Sequence, residues 1–314
     1  MTIKTVCVLG GTGFVGTHLV GMLSNRGYRV RVPTRKIERH RDLKVLPNAE
    51  VFECNVNDAG QLSDAIAGAD AVINLIGILN ESKHATFRAI HTELPGRIAE
   101  TCKQQSVPRL LHMSALHANK RGSSRYLQTK GRGEDLVHAA AGPNLAVTSF
   151  RPSVIFGEGD SFLNRFANLI RLAPGVLPLA CANARFQPVY VGDLCQTFAD
   201  ALEDDACHGQ RVDLCGPRIY TLRELVDYTA RLTGQKIKVW ALPDWLSRVE
   251  ASIMEWIPGK PFTMDNYRSL QTDSVCSRNT TPCPTSLEAI APKYLGLQDK
   301  EGLYQHYRSM ARRI

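Results

Sequence analysis

Three side chains near the middle of the chain have the chemistry to move a proton. Ser114 closes an apolar run, and Tyr126 and Lys130 stand four residues apart in Tyr126-Leu127-Gln128-Thr129-Lys130. On a helix that spacing puts both on one face. An ammonium beside a phenol favours the phenolate, so Lys130 is expected to lower the Tyr126 pKa from about 10. A Ser114 hydroxyl can hold a carbonyl oxygen while Tyr126 gives or takes the proton. Tyr-x-x-x-Lys also arises by chance on surface helix turns, so the triplet gains meaning only from its surroundings.

Those surroundings include a phosphate-binding loop. The apolar run Thr5–Leu9 leads into Gly10-Gly11-Thr12-Gly13-Phe14-Val15-Gly16, which reads Gly-x-x-Gly-x-x-Gly through Gly10, Gly13 and Gly16. Glycine permits the tight turn, lets backbone amides reach a pyrophosphate and lets the helix pack on the sheet. The helix N-terminus adds partial positive charge, and Phe14 and Val15 lie in its first turn. An acidic residue about 20 positions on usually holds the ribose 2′-hydroxyl of NAD. Here Pro33-Thr34-Arg35-Lys36 stands at that place. A guanidinium at Arg35 can grip a 2′-phosphate with two hydrogen bonds, which favours NADP(H) over NAD(H). A solvated Arg-Lys turn is the other reading. Asn55 and Asp58 follow the third apolar run, and Asn74 to Gly77 ends the fourth. Both pairs fall where a ligand lies in an open parallel sheet, or they are turn chemistry.

The elements that must position these groups are legible as alternation. Thr5–Leu9, Arg29–Val32, Val51–Cys54, Ala71–Ile76, Leu110–Met113 and Ala146–Phe150 read as strands. Val15, Leu19 and Leu23 recur at helical spacing with Gly27 at the helix end, and Leu62 with Ile66 and Ile98 with Cys102 mark two more covering helices. Strand–helix alternation predicts an α/β fold, a doubly wound parallel Rossmann sheet with a smaller, discontinuous C-terminal domain. The expected limits are 1–160 with 186–216 returning to the sheet, and 161–185 with 217–314 forming the small domain.

Bulk composition narrows the classes. At 314 residues, 44% hydrophobic and 22% charged, the chain is that of an ordinary globular protein. The net charge of +8 comes from Lys and Arg scattered along the whole length, with no nucleic-acid module beside them. Nine cysteines occur without any Cys-x-x-Cys, and Cys7, Cys54 and Cys215 sit in apolar runs where a thiol acts as a small hydrophobe. An odd count without a framework points to a reducing compartment. No histidine spacing suggests a metal. The first strand starts too early for a leader, and no stretch reaches the ~20 apolar residues of a membrane span. The expectation is a cytoplasmic protein, at most peripheral to a membrane.

In the second half, Trp245, Val249, Ile253 and Trp256 recur at helical spacing, with Asp244 as a candidate N-cap and Pro258-Gly259 as the stop. This stripe either packs on its own domain or stays exposed and docks on a protein partner.

The chain resembles a known family, the short-chain dehydrogenase/reductases, in their extended or atypical branch. Within it, the chain is most similar to the nucleotide-binding accessory subunit of respiratory complex I and its bacterial relatives. The likeness spans nearly the whole sequence. It rests on Gly10–Gly16, the run Val72-Ile73-Asn74-Leu75-Ile76-Gly77, and Ser123-Ser124 before Arg125-Tyr126. It continues through Phe162-Leu163-Asn164-Arg165-Phe166, Gln187-Pro188-Val189-Tyr190-Val191 and Thr263-Met264-Asp265-Asn266. The resemblance implies bound NADP(H), with Gly10, Gly13 and Gly16 on the pyrophosphate and Arg35 on the 2′-phosphate. It implies Ser114, Tyr126 and Lys130 as the dehydrogenase group, or Lys130 as a holder of the nicotinamide ribose. Two positions depart from the family pattern: Asn55 replaces an aspartate near the adenine, and His91 replaces an asparagine of the lysine's proton relay. Three functions follow from the likeness. They are hydride transfer to a carbonyl-type substrate, a nucleotide-loaded structural or assembly subunit of a respiratory membrane complex, and a sensor of the NADPH redox state.

Overall fold

The structure is a computed structural model that describes residues 3–82, 84–256 and 262–296. Its contacts divide the chain into two units, Met1–Pro152 with Val191–Leu214, and Ser153–Tyr190 with Cys215–Ile314.

The first unit holds the predicted alternation. Its strands are β1 (Thr5–Leu9), β2 (Arg29–Thr34), β3 (Ala49–Glu53), β4 (Ala71–Asn74), β5 (Arg109–Met113) and β6 (Ala146–Pro152). Its helices are α1 (Phe14–Asn25), α2 (Ala59–Ile66), α3 (Leu94–Gln104) and α4 (Arg125–Ala139). A further helix, Val191–Asp200, and strand, Arg211–Leu214, complete it. Seven strands form one sheet in the order β3-β2-β1-β4-β5-β6 and then 211–214, and every pairing is parallel. From β1 the chain winds outward to β3, then returns and winds the other way from β4. The reversal opens a crevice between the carboxyl ends of β1 and β4. Both faces are covered, so Val6–Leu9 and Ala71–Ile73 are buried at every residue rather than in alternation.

Local chemistry sets the ends of these elements. Gly27 takes φ +87, and the Tyr28 and Gly27 amides donate to the Leu23 and Ser24 carbonyls, so α1 stops as its spacing predicts. Strand β4 ends two residues before Ile76, because the Asn74 side-chain oxygen accepts the Ile76 amide and turns the backbone away.

The second unit is built from short strand pairs, 155–156 with 189–190, 176–179 with 238–241, and 185–186 with 220–221, and from five helices among the described residues. Phe156, Leu163, Ile170, Phe186, Leu225 and Val226 lie in its core. Residues 153–160, 186–190 and 215–216, expected with the first unit, group with this one. The pairing of 155–156 with 189–190 ties them to it, as does Gly216, where an added Cβ would stand 1.9 Å from the Pro188 carbonyl oxygen. The reading of Cys215 as a thiol acting as a small hydrophobe is corrected, because Cys215 and Cys276 form a disulfide across 61 residues. The tertiary fold, not spacing along the chain, brings their Cα atoms to 6.1 Å.

The helix Asp244–Met254 starts with Asp244 inside it and Pro243 as its cap, so Asp244 is not the N-cap. It packs through the small residues Ser247 and Ala251. Trp245 and Trp256, by contrast, are 65% and 90% exposed. Pro258 and Gly259 lie outside the described residues. Among the described residues no helix is long and apolar enough to cross a membrane, and no group of three or more His, Cys, Asp or Glu could hold a metal ion.

Candidate active site

Sheet order puts the sequence candidates in one row. Along the carboxyl edge follow Asn55 after β3, Arg35 after β2, the glycine loop after β1, Gly77 beyond β4 and Ser114 after β5. Residues as far apart in sequence as Gly10 and Ser114 thus share one crevice edge, at the switch point where such sheets take ligands.

The glycine loop has a reason for each glycine it uses. Gly10 takes φ +84, which a side chain would strain. A Cβ on Gly16 would lie 2.3 Å from the Gly10 carbonyl oxygen, so only glycine lets α1 pack this tightly on the loop. Gly13 caps α1 without any side-chain hydrogen bond, and the first turn carries no acid. By contrast, Asp58 caps α2 and Ser124 caps α4 through side-chain oxygens. The first-turn amides of α1, at Phe14, Val15 and Gly16, are therefore left to an external acceptor. A pyrophosphate fits that vacancy of charge, so these residues suit a dinucleotide. Arg35 is exposed just past β2, and the ion pair of this segment is made instead by Arg41 with Glu38.

Two candidates serve the fold. The Asn74 amide is buried, accepting from the Ile76 N–H and donating to His112 Nδ1 at 3.1 Å. Asn55 accepts the Asn57 amide in a turn, and its own amide donates to the Gln61 side chain.

Tyr126, Lys130 and Gly77 do come together. Ser124 caps α4 by accepting from the Leu127 amide, and this first turn presents Tyr126. One turn on, Lys130 is buried and its Nζ donates to the Met113 carbonyl at 3.1 Å, next to Ser114. A Cβ on Gly77 would stand 3.2 Å from that Nζ, so Gly77 is the residue that admits the lysine. The Ser114 hydroxyl is buried and lacks a hydrogen-bond partner among the described residues. An unmet buried hydroxyl costs about 1–3 kcal/mol, which a substrate oxygen would relieve.

The predicted electrostatics need correction. Burial pushes the Tyr126 phenol up to about 12 instead of Lys130 drawing it down. Lys130 is itself lowered by burial, to about 8, against the opposing pull of Glu134. Its head is turned to Met113 and Gly77, and Glu134 itself is held by Arg151 through Nε and Nη2.

Sequence reasoning noted His91 only as a departure, yet it is central here. A π-helical turn, Arg88–Glu93, carries it, and such bulges gather at functional sites. Its ring stacks on Phe87 at 5.3 Å and stands edge-on to Tyr126 at 5.3 Å. Phe87 also meets Tyr126 edge-on. Gly133 makes this possible, because a Cβ there would lie 1.7 Å from the His91 carbonyl oxygen. No linear motif marks the turn, since the fault in helical register appears only once α4 packs against it.

Comparison with known proteins agrees with this fold. Residues 6–215 match the NAD dependent epimerase/dehydratase family. The chain belongs to that family, as an extended member of the short-chain dehydrogenase/reductase type. It is 30% identical over 321 residues to mitochondrial NADH dehydrogenase (ubiquinone) 1 alpha subcomplex subunit 9 of Mus musculus, covering 98% of this chain and 82% of that one. It is also 30% identical over 251 residues to ceramide reductase of Caulobacter vibrioides, covering 76% and 74% respectively. The fold is that of Thermus thermophilus UDP-glucose 4-epimerase, solved with NAD, at a TM-score of 0.63 and 19% identity over 84% of this chain and 99% of that one.

Proposed function

We propose that this protein is an NADP(H)-dependent reductase acting on a carbonyl. The reading rests above all on one observation, the row of uncapped α1 amides, buried Lys130, Tyr126 and partnerless Ser114 along a single sheet edge. Gly10, Gly13 and Gly16 would hold the pyrophosphate, Arg35 the 2′-phosphate and Lys130 the nicotinamide ribose. When bound there, a reduced nicotinamide would supply the hydride for the carbonyl carbon. Ser114 holds the carbonyl oxygen, and the protonated Tyr126 phenol donates its proton to that oxygen as the alcohol forms. A phenol held at about 12 stays protonated at neutral pH, as a proton donor in the reductive direction must. The likeness to ceramide reductase makes lipid ketones the first substrates to assay.

A second reading is a nucleotide-loaded subunit of a respiratory complex. It is favoured by the near full-length likeness to the mouse subunit and by the exposed stripe Trp245, Val249, Ile253 and Trp256. In this reading the stripe meets a protein partner.

Purified chain should carry a nucleotide identifiable by mass, and it should oxidise NADPH when given long-chain ketones. Turnover supports the reductase. Bound nucleotide without turnover, together with respiratory subunits recovered from native membranes, supports the second reading. A chain that binds neither NADPH nor NADH overturns both.

A further inference from the structure

His91 faces two ways. Its Nε2 accepts the Ile78 amide at 3.0 Å, fixing the turn that follows Gly77. An imidazole nitrogen that accepts carries no proton, so the proton is on Nδ1. That Nδ1 lies 3.4 Å from the Thr129 hydroxyl, which donates its own proton to the Arg125 carbonyl and keeps a lone pair for His91. Thr129 lies between Tyr126 and Lys130 on α4. A single ring therefore links the Gly77–Ile78 turn to the helix that bears both side chains.

The same ring lies beside Lys130. The Cβ position of Gly77 is 3.2 Å from Lys130 Nζ and 3.7 Å from His91 Nε2. Nε2 has one lone pair in the ring plane, and the Ile78 amide already occupies it. Lys130 is left with the Met113 carbonyl as its hydrogen-bond acceptor among the described residues. The groups that act on it are Glu134 from α4, His112 from β5 and His91 from the π turn. Burial and the Lys130 charge hold His91 down at about 2 and His112 at about 3, so neither imidazole changes charge near neutrality.

We propose that His91 is a positioning residue that pins the Gly77–Ile78 turn to α4 and, with its acceptor nitrogen occupied, denies Lys130 a second hydrogen-bond acceptor. The inference rests on the reading of Lys130 as the group that holds the nicotinamide ribose. An ammonium with one acceptor in a dry site loses its proton more readily than one with two. Lys130 then passes between charged and neutral near the working pH, which suits a group that resupplies Tyr126 with protons.

The test is NADPH affinity from pH 6.5 to 10, read by cofactor fluorescence on the full chain. Wild type should lose affinity as pH passes about 8, where Lys130 gives up its proton. In His91→Gln the amide oxygen has two lone pairs, one for Ile78 and one for Lys130, so the loss should move up by about one pH unit. In His91→Leu the acceptor for Ile78 is gone and none is offered to Lys130. The midpoint should stay where it is in wild type, while hydrogen exchange at the Ile78 amide rises at least tenfold. Lys130→Met should abolish the pH-dependent loss. If that loss persists in Lys130→Met, the assignment of Lys130 to the cofactor is wrong, and the inference goes with it. If Lys130→Met abolishes it but the His91→Gln midpoint is that of wild type, the assignment stands and the inference about His91 is overturned. Unchanged Ile78 exchange in His91→Leu likewise overturns the pinning role.

Discussion

Arg35 and Tyr126 illustrate how one atom group can be separated from its neighbours by substitution. Arg35 stands past β2 where a carboxylate would select a free ribose hydroxyl. Arg35→Ala should weaken NADPH binding by about 10- to 100-fold, the effect of losing a charge-assisted pair of roughly 1.5–3 kcal/mol, and leave NADH binding unchanged. Fluorescence titration of both nucleotides checks it, and equal loss for the two would refute the 2′-phosphate role. Tyr126→Phe removes the phenolic oxygen while keeping the ring edges that meet His91 and Phe87. It should therefore abolish NADPH-dependent ketone reduction with cofactor affinity within about twofold of wild type. Surviving turnover in a stopped-flow assay would mean that the proton comes from another group.

Helix α4 makes its closest approach through glycine. Gly131 faces the Asn119 backbone, where a Cβ would lie 2.6 Å away, and Gly133 faces the His91 carbonyl oxygen at 1.7 Å. Both distances are far inside van der Waals contact, so one methyl group must push α4 off the π turn. Gly133→Ala should cost roughly 1–3 kcal/mol by overpacking, despite the gain in helix propensity that alanine brings. Chemical denaturation measures the first effect. The NADPH titration should show weaker binding as well, because the shift carries Lys130 with it. A Gly133→Ala protein as stable as wild type would mean that the two segments are not packed so closely.

At the scale of the whole molecule the two units carry different loads. The first holds every sequence-predicted site residue, and the second carries the large exposed apolar stripe of the helix Asp244–Met254. That helix is inverted relative to a solvated one, with small residues inward and Trp245 outward. Replacing Trp245 and Trp256 together by Ser should change unfolding free energy by less than about 0.5 kcal/mol, as for other exposed positions. If the stripe meets a respiratory partner, the same variant should be recovered with native membranes at a fraction of the wild-type yield. Loss of stability would instead assign the two side chains to the core.

The parallel sheet, the glycine loop and the Ser114, Tyr126 and Lys130 triplet were legible because each is written locally. Buried strands read as apolar runs, a tight turn requires glycine, and four residues make about one helical turn. The reading of Arg35 is local in the same way, as a missing acid at a fixed distance from the loop, and its role on the 2′-phosphate stands as a proposal. What the sequence could not express is pairing across distance. Cys215 meets Cys276 only through the fold of the second unit. Asn74 hydrogen-bonds to His112 because β4 and β5 are neighbours. The Tyr126 phenol rises rather than falls because it is buried, while the lysine head is drawn to Met113. His91 links a turn to a helix only because Gly133 lets them touch. Residue type and spacing fix what a segment can do, whereas desolvation and the direction of each hydrogen bond are properties of the packed chain.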